Sequence, residues 1–159
     1  EQHMVRLQAS NALALIERYD IVADGSDNFD PRFLVNDACF FARRTLVSAA
    51  ISEFDGQLAT FRAYDRTLPY PCYRCIFPEP PPPESARSCS ESGVLGAAAG
   101  VMGTLQALEV IKEIAGTGET MAGKLLIYEA LSTRFRSVRV RPDPDCRLCG
   151  SNPSIRSLS

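Results

Sequence analysis

At 159 residues with a formal net charge of −2, the chain has the size of one modest domain and lacks the basic balance of a nucleic-acid binder. Its 45% hydrophobic and 23% charged residues suit a globular fold, not a disordered segment. No apolar run approaches the roughly 20 residues of a membrane span, and residues 1–11 are too polar for a signal peptide, so a cytoplasmic location is expected.

Residues 7–18, with Leu13, Leu15 and Ile16, read as a helix. The chain opens without an initiator Met and soon enters this pattern, so it is expected to begin mid-protein. Residues 19–23 then form a short apolar run ending at Asp24-Gly25, the pattern of a buried strand entering a turn. Asp30 is placed to cap a helix over 31–43, with Pro31 at its first position. Residues 46–54 and 57–63 read as strands, and Asp55-Gly56 between them signals a hairpin. Strand–helix–strand passing into a hairpin predicts an α/β core with a mixed sheet.

Residues 64–92 form a long irregular connection that carries Cys72, Cys75 and the stiff run Pro78-Glu-Pro-Pro-Pro-Pro83. Few apolar residues follow Cys75, so packing cannot offset the ordering entropy, and 79–92 are expected to be mobile. Residues 93–115 read as one long helix. Its apolar surface is wider than a single stripe, which predicts packing on several sides. Gly96, Gly100 and Gly103 form a small-residue face suited to tight helix–sheet packing. Closing strands follow over 124–128 and 134–140, then a loop over 141–150 and a Ser-rich tail over 151–159, expected to be flexible. The whole of 1–159 reads as one domain.

Four of the six cysteines form two C-x-x-C pairs, Cys72/Cys75 and Cys146/Cys149. Two intervening residues let both sulfurs of a pair turn toward one ion, and four thiolates suit tetrahedral zinc. Redox-active or merely free C-x-x-C units are the alternative, although neither pair sits in a strand-to-helix setting. Cys39 lies in an apolar helix pattern and reads as a small core residue. Cys89 stands before the long helix, near Arg87. Helix-terminal amides and a cation would lower its thiol pKa, and an unreactive loop cysteine is the competing reading. His3, the only histidine, offers no Cys-His or Ser-His couple.

Asp24-Gly-Ser-Asp-Asn28 follows a buried strand. Ligands of open α/β sheets gather at the C-terminal ends of strands, and carboxylates there can hold Mg(II) beside phosphates. Asp/Asn/Gly turns are also common without a function.

The run from Asp20 to Phe29, followed by Phe33-Leu-Val-Asn-Asp37, resembles the second half of the MoeB/ThiF family, adenylyltransferases related to ubiquitin-activating enzymes. Gly56-Gln-Leu, the first cysteine pair, Cys89-Ser-Glu-Ser-Gly-Val-Leu-Gly96, Gly103-Thr-Leu-Gln-Ala-Leu-Glu109 and the second pair continue the match in order. The resemblance implies a Rossmann-like mixed sheet flanked by helices, with a four-cysteine zinc site. It further implies that Mg-ATP is used to adenylate the C-terminal Gly-Gly carboxylate of a ubiquitin-like sulfur-carrier protein of molybdopterin or thiamine type, in a homodimer. Asp27 and Asn28 fall on the family's nucleotide-contact positions, with Asp24 as a neighbour. Cys89 matches a cysteine that forms a thioester or transfers sulfur in some branches. No G-x-G-x-x-G precedes Asp24, nor the expected Arg and Lys set, so the chain is expected to be a C-terminal portion without the N-terminal nucleotide-binding half. A catalytically silent, zinc-stabilised interaction module is the alternative function, and a thiol-disulfide oxidoreductase a third.

Overall fold

The computed structural model describes residues 1–82 and 93–158. Helix α1 spans Ala9–Ile16 and strand β1 Ile21–Asp24. Helix α2, Phe29–Ala42, leads into strands β2, Thr45–Ser52, and β3, Asp55–Phe61. A one-turn helix, α3, covers Tyr73–Ile76, and the long helix α4 covers Gly96–Ala115. Strand β4, Lys124–Glu129, and strand β5, Arg134–Arg139, close the fold around a short 3-10 turn at Ala130–Ser132. Among the described residues no helix is long and apolar enough to cross a membrane. The mobility expected over 79–92 falls for the most part on residues outside the described ones.

The five strands form one sheet in the order β1-β2-β3-β4-β5. β1 and β2 are parallel, joined through α2, and every later pair is antiparallel. This is the mixed sheet the element order predicts. Alternation along β2 and β3 sends side chains to two cores. Leu46, Ala59 and Phe61 pack with α1 and α2 on one face. Val47, Ala49 and Leu58 pack with Ala98 and Met102 of α4 on the other.

Three local expectations are corrected. The cap of α2 is Asn28, not Asp30: the helix starts two residues before Pro31, whose missing N–H falls in a first turn that needs no donor. Asp55-Gly56 is not the hairpin turn. Ser52 pairs with Asp55, so Glu53 and Phe54 turn the chain, with Glu53 at φ 46°. Gly56 instead lies in β3 beneath α4, where a Cβ would collide with the Met102 side chain.

Helix α4 is the third case. It packs on the sheet through one stripe, with Ala98, Met102 and Glu109 buried. Leu108, Ile111 and Ile114 stay 50%, 59% and 71% exposed, so packing on several sides is not found among the described residues. A methyl group added at Gly96, Gly100 or Gly103 would meet nothing within 4 Å, so these glycines are not the packing face. The helix begins at Gly96, later than its sequence pattern suggests. The tail after Gly150 makes defined contacts: the Ile155 amide donates to the Arg147 carbonyl (2.8 Å), and Leu158 packs against the α1–α2 core.

Leu58 is 1% exposed at the centre of the sheet beneath α4. Leu58→Ala is expected to lower the unfolding free energy by about 2–5 kcal/mol, read from the midpoint of urea denaturation at unchanged slope.

Candidate functional site

The chain turns back on itself so that its two cysteine pairs meet. Cys72 precedes α3 and Cys75 lies within it. The β4–β5 hairpin returns the chain so that Cys146 and Cys149 sit against that helix. Cys72 Sγ lies 3.9 Å from Cys75 Sγ and 3.6 Å from Cys146 Sγ, and Cys75 Sγ lies 3.3 Å from Cys149 Sγ. All four sulfurs fall within 4.8 Å of one another, and none is in a disulfide. Thiolates about 2.3 Å from a tetrahedral ion sit about 3.8 Å apart, so the cluster could hold one metal ion. The sulfurs also bear on one another's protons. Hydrogen bonds from Cys149 and Cys72 hold the Cys146 thiol down, and those to Cys146 and Cys149 push Cys72 up.

Backbone groups fix the ligand turns. The Asp143 amide donates to Cys75 Sγ (3.4 Å), and Arg66 Nη1 donates to the Cys149 carbonyl (2.9 Å). The Gly150 amide donates to the Cys146 carbonyl (3.0 Å). Cys39 is separate, buried in the α1–α2 core. Burial pushes its thiol up to about 12, so it is inert at neutral pH.

The Asp/Asn turn sits where the sequence places it, at the C-terminal end of β1. Asp24 is buried; its Oδ1 accepts the Ser26 amide (3.1 Å) and its Oδ2 faces Ser48 Oγ at 3.5 Å. Asp27 and Asn28 are exposed and joined, Asn28 Nδ2 donating to Asp27 Oδ1 (3.0 Å). Asp24 is therefore a support of the turn, while Asp27 and Asn28 present polar atoms to solvent. Cys89 lies outside the described residues.

Two supporting residues escape sequence reasoning. Arg32 Nε and Nη2 both donate to the Ser26 carbonyl (3.0 and 2.7 Å), and its guanidinium stacks on Phe29. Gln106 Nε2, from α4, donates to the carbonyls of Asp24 (2.8 Å) and Val47 (3.0 Å), spanning the two parallel strands. Gln106 left one signal, an amide within an apolar helix surface. Arg32 left none, since an arginine in a helix ordinarily faces water.

Beside the turn, a cavity of about 150 Å³ is lined by Phe29 and Arg32 of α2, Ser48 and Gln57 of the sheet, and Tyr73 and Phe77 at α3. Its walls are mainly apolar, with four aromatic rings, and carry both charges, Arg32 and Asp55.

Comparison with known proteins places this geometry in context. The ThiF family model matches residues 1–148. The chain is 50% identical over 153 residues to bovine "Adenylyltransferase and sulfurtransferase MOCS3", covering 96% of this chain and 33% of that protein. It is 47% identical over 161 residues to the Thermus thermophilus "Sulfur carrier protein adenylyltransferase", covering 99% of this chain and 59% of that protein. The chain thus spans between a third and three-fifths of these relatives. In structure it is similar to E. coli MccB crystallised with ATP, at TM-score 0.73 and 17% identity, over 92% of this chain and 45% of that one. The Rossmann-like fold agrees with that likeness. The family match runs from residue 1, and the expectation that the chain is a C-terminal portion only is not borne out.

A Cβ at Gly150 would stand 2.5 Å from the Cys146 carbonyl oxygen and 2.6 Å from that of Pro144, both backbone atoms that cannot swing aside. Gly150→Ala is expected to displace the second ligand turn and lower metal affinity about 10–100-fold, measured by competition with a chromogenic chelator.

Proposed function

Because this chain belongs to the ThiF family, we propose that it forms part of an ATP-dependent adenylyltransferase that activates the C-terminal Gly-Gly carboxylate of a ubiquitin-like sulfur-carrier protein. The observation that carries this reading is the Asp24–Asn28 turn: a buried strand end, braced from two helices, that leaves Asp27 and Asn28 free to meet a ligand. The bovine and Thermus relatives, both named as adenylyltransferases, support the reaction class.

The carrier carboxylate attacks the α-phosphorus of ATP. A C–O–P bond forms and pyrophosphate leaves. Asp27 orients the Mg(II) that accompanies the phosphates, and Asn28 adds a neutral donor and acceptor beside it. The small, mainly apolar cavity receives the carrier's tail, since two glycines need little room. Cys89, by its match to the family, is the thiol that attacks the acyl carbon and displaces AMP to give a thioester. The working protein in this reading is a homodimer.

We assign zinc to the four-cysteine cluster, with Cys72, Cys75, Cys146 and Cys149 as ligands. Four sulfurs at tetrahedral spacing, with backbone N–H support and no oxygen donor, suit zinc better than a hard cation. The ion supplies cross-linking and does not take part in the reaction.

In the full-length enzyme with a carrier, Asp27→Ala is expected to lower ATP–pyrophosphate exchange about 10²-fold or more. Near-normal exchange would remove Asp27 from the site. Protein purified without chelator should hold about one zinc per chain, unchanged by Asp27→Ala. Zinc-free protein that keeps its fold and four accessible thiols would overturn the metal assignment.

A further inference from the structure

Helix α3 does two things at once. It carries Cys72 at its start and Cys75 within it, and it sets Tyr73 and Phe77 as one wall of the cavity beside the Asp24 turn. A helix of one turn cannot hold itself in place, so something must fix it. The fixing groups are two buried polar residues in the middle of α2. Asn36, 2% exposed, accepts the Tyr73 amide on its Oδ1 (2.9 Å) and donates from Nδ2 to Asp37 Oδ1 (3.0 Å). Asp37, 6% exposed, takes Arg74 through two hydrogen bonds, Nε to Oδ1 (2.8 Å) and Nη2 to Oδ2 (2.7 Å). Packing reinforces the clamp: the Tyr73 ring meets Phe33 edge-on at 5.2 Å, and the Arg74 guanidinium lies 4.7 Å from the Phe33 ring centre.

Apolar packing alone would let α3 slide along α2. A buried acceptor and a buried carboxylate each allow one position, because any other leaves a polar group unsatisfied. Both ends of this arrangement serve the site: the N-terminus of α2 follows the Asp27-Asn28 pair, and its middle holds the cavity wall.

We propose that Asn36 and Asp37 are positioning residues for substrate binding: by locking the ligand-bearing helix α3 to α2, they couple the cysteine cluster to the wall that Tyr73 and Phe77 present to the incoming tail. The metal cluster then controls tail affinity although none of its sulfurs lines the cavity. This inference rests on the reading of the cavity as the carrier-tail site.

The test measures binding of a short synthetic peptide ending in Gly-Gly to the full chain by calorimetry, alongside hydrogen exchange at the Tyr73 amide. Asn36→Ala and chelator-stripped protein should each bind the peptide several-fold more weakly, about fivefold or more, with faster exchange at Tyr73. Asp37→Asn, which keeps Oδ1 as the acceptor for Asn36 Nδ2 and Arg74 Nε, should retain most of the affinity. Phe77→Ala should weaken binding while leaving Tyr73 exchange unchanged, and it carries the test should Asn36→Ala not fold. Unchanged peptide affinity in chelator-stripped protein, or in Asn36→Ala with a freed Tyr73 amide, overturns the coupling and leaves the functional reading standing; unchanged affinity in Phe77→Ala overturns the cavity assignment. Failure of the unaltered chain to bind the peptide overturns the cavity assignment and this inference with it.

Discussion

Four sulfur atoms within 4.8 Å of one another, drawn from segments more than 70 residues apart, are the constraint on which the distal half of this fold depends. Thiols at that spacing compete for protons, and thiolates repel unless a cation neutralises them. A shared ion would remove both penalties and close a long loop, tying the connection after β3 to the segment after β5. The cluster around the cysteines adds Ala63 and Leu148, with Phe40, Phe41 and Ile155 at its edge.

The polar interior of the protein is organised rather than incidental. Buried polar groups are expensive unless satisfied, and here most of them point toward the same two places. Asp24, Ser48, Arg32 and Gln106 brace the turn after β1; Asn36 and Asp37 brace the helix that carries two cysteines. Helix α2 links these sets. Its apolar side supplies Phe33, Val35 and Cys39 to the core, while its polar side reaches the turn and the cysteine-bearing helix. The same rigid element therefore registers both against the sheet.

The outer surface of α4 stands apart from this organisation. Its sheet-facing stripe includes Gln106 and the buried Glu109, which pairs with the half-buried Lys112, while the opposite face leaves leucine and isoleucine in solvent. The hydrophobic pattern that reads as packing on several sides is real; in this chain only one of those sides has a partner among the described residues.

What the sequence by itself determined was whatever depends on neighbours in the chain. The α/β order, the mixed sheet and the turn after β1 follow from short-range periodicity and turn chemistry, and the two C-x-x-C pairs from ligand spacing. Their convergence on one site was legible because four thiols in two knuckles have few other uses in such a fold. Local reading failed where two residues far apart compete for one place. Asp55-Gly56 carries a turn signal, but Met102 requires the glycine inside β3. Asp30 is a good cap, but the helix starts at Phe29, which puts Asn28 at the N-cap position and Asp30 inside the first turn. Arg32, Asn36 and Gln106 look like ordinary helix residues until the fold brings a carbonyl or an amide opposite each. A hydrogen bond between elements depends on a distance that no sequence window contains, so only the tertiary structure decided which polar residues hold the site.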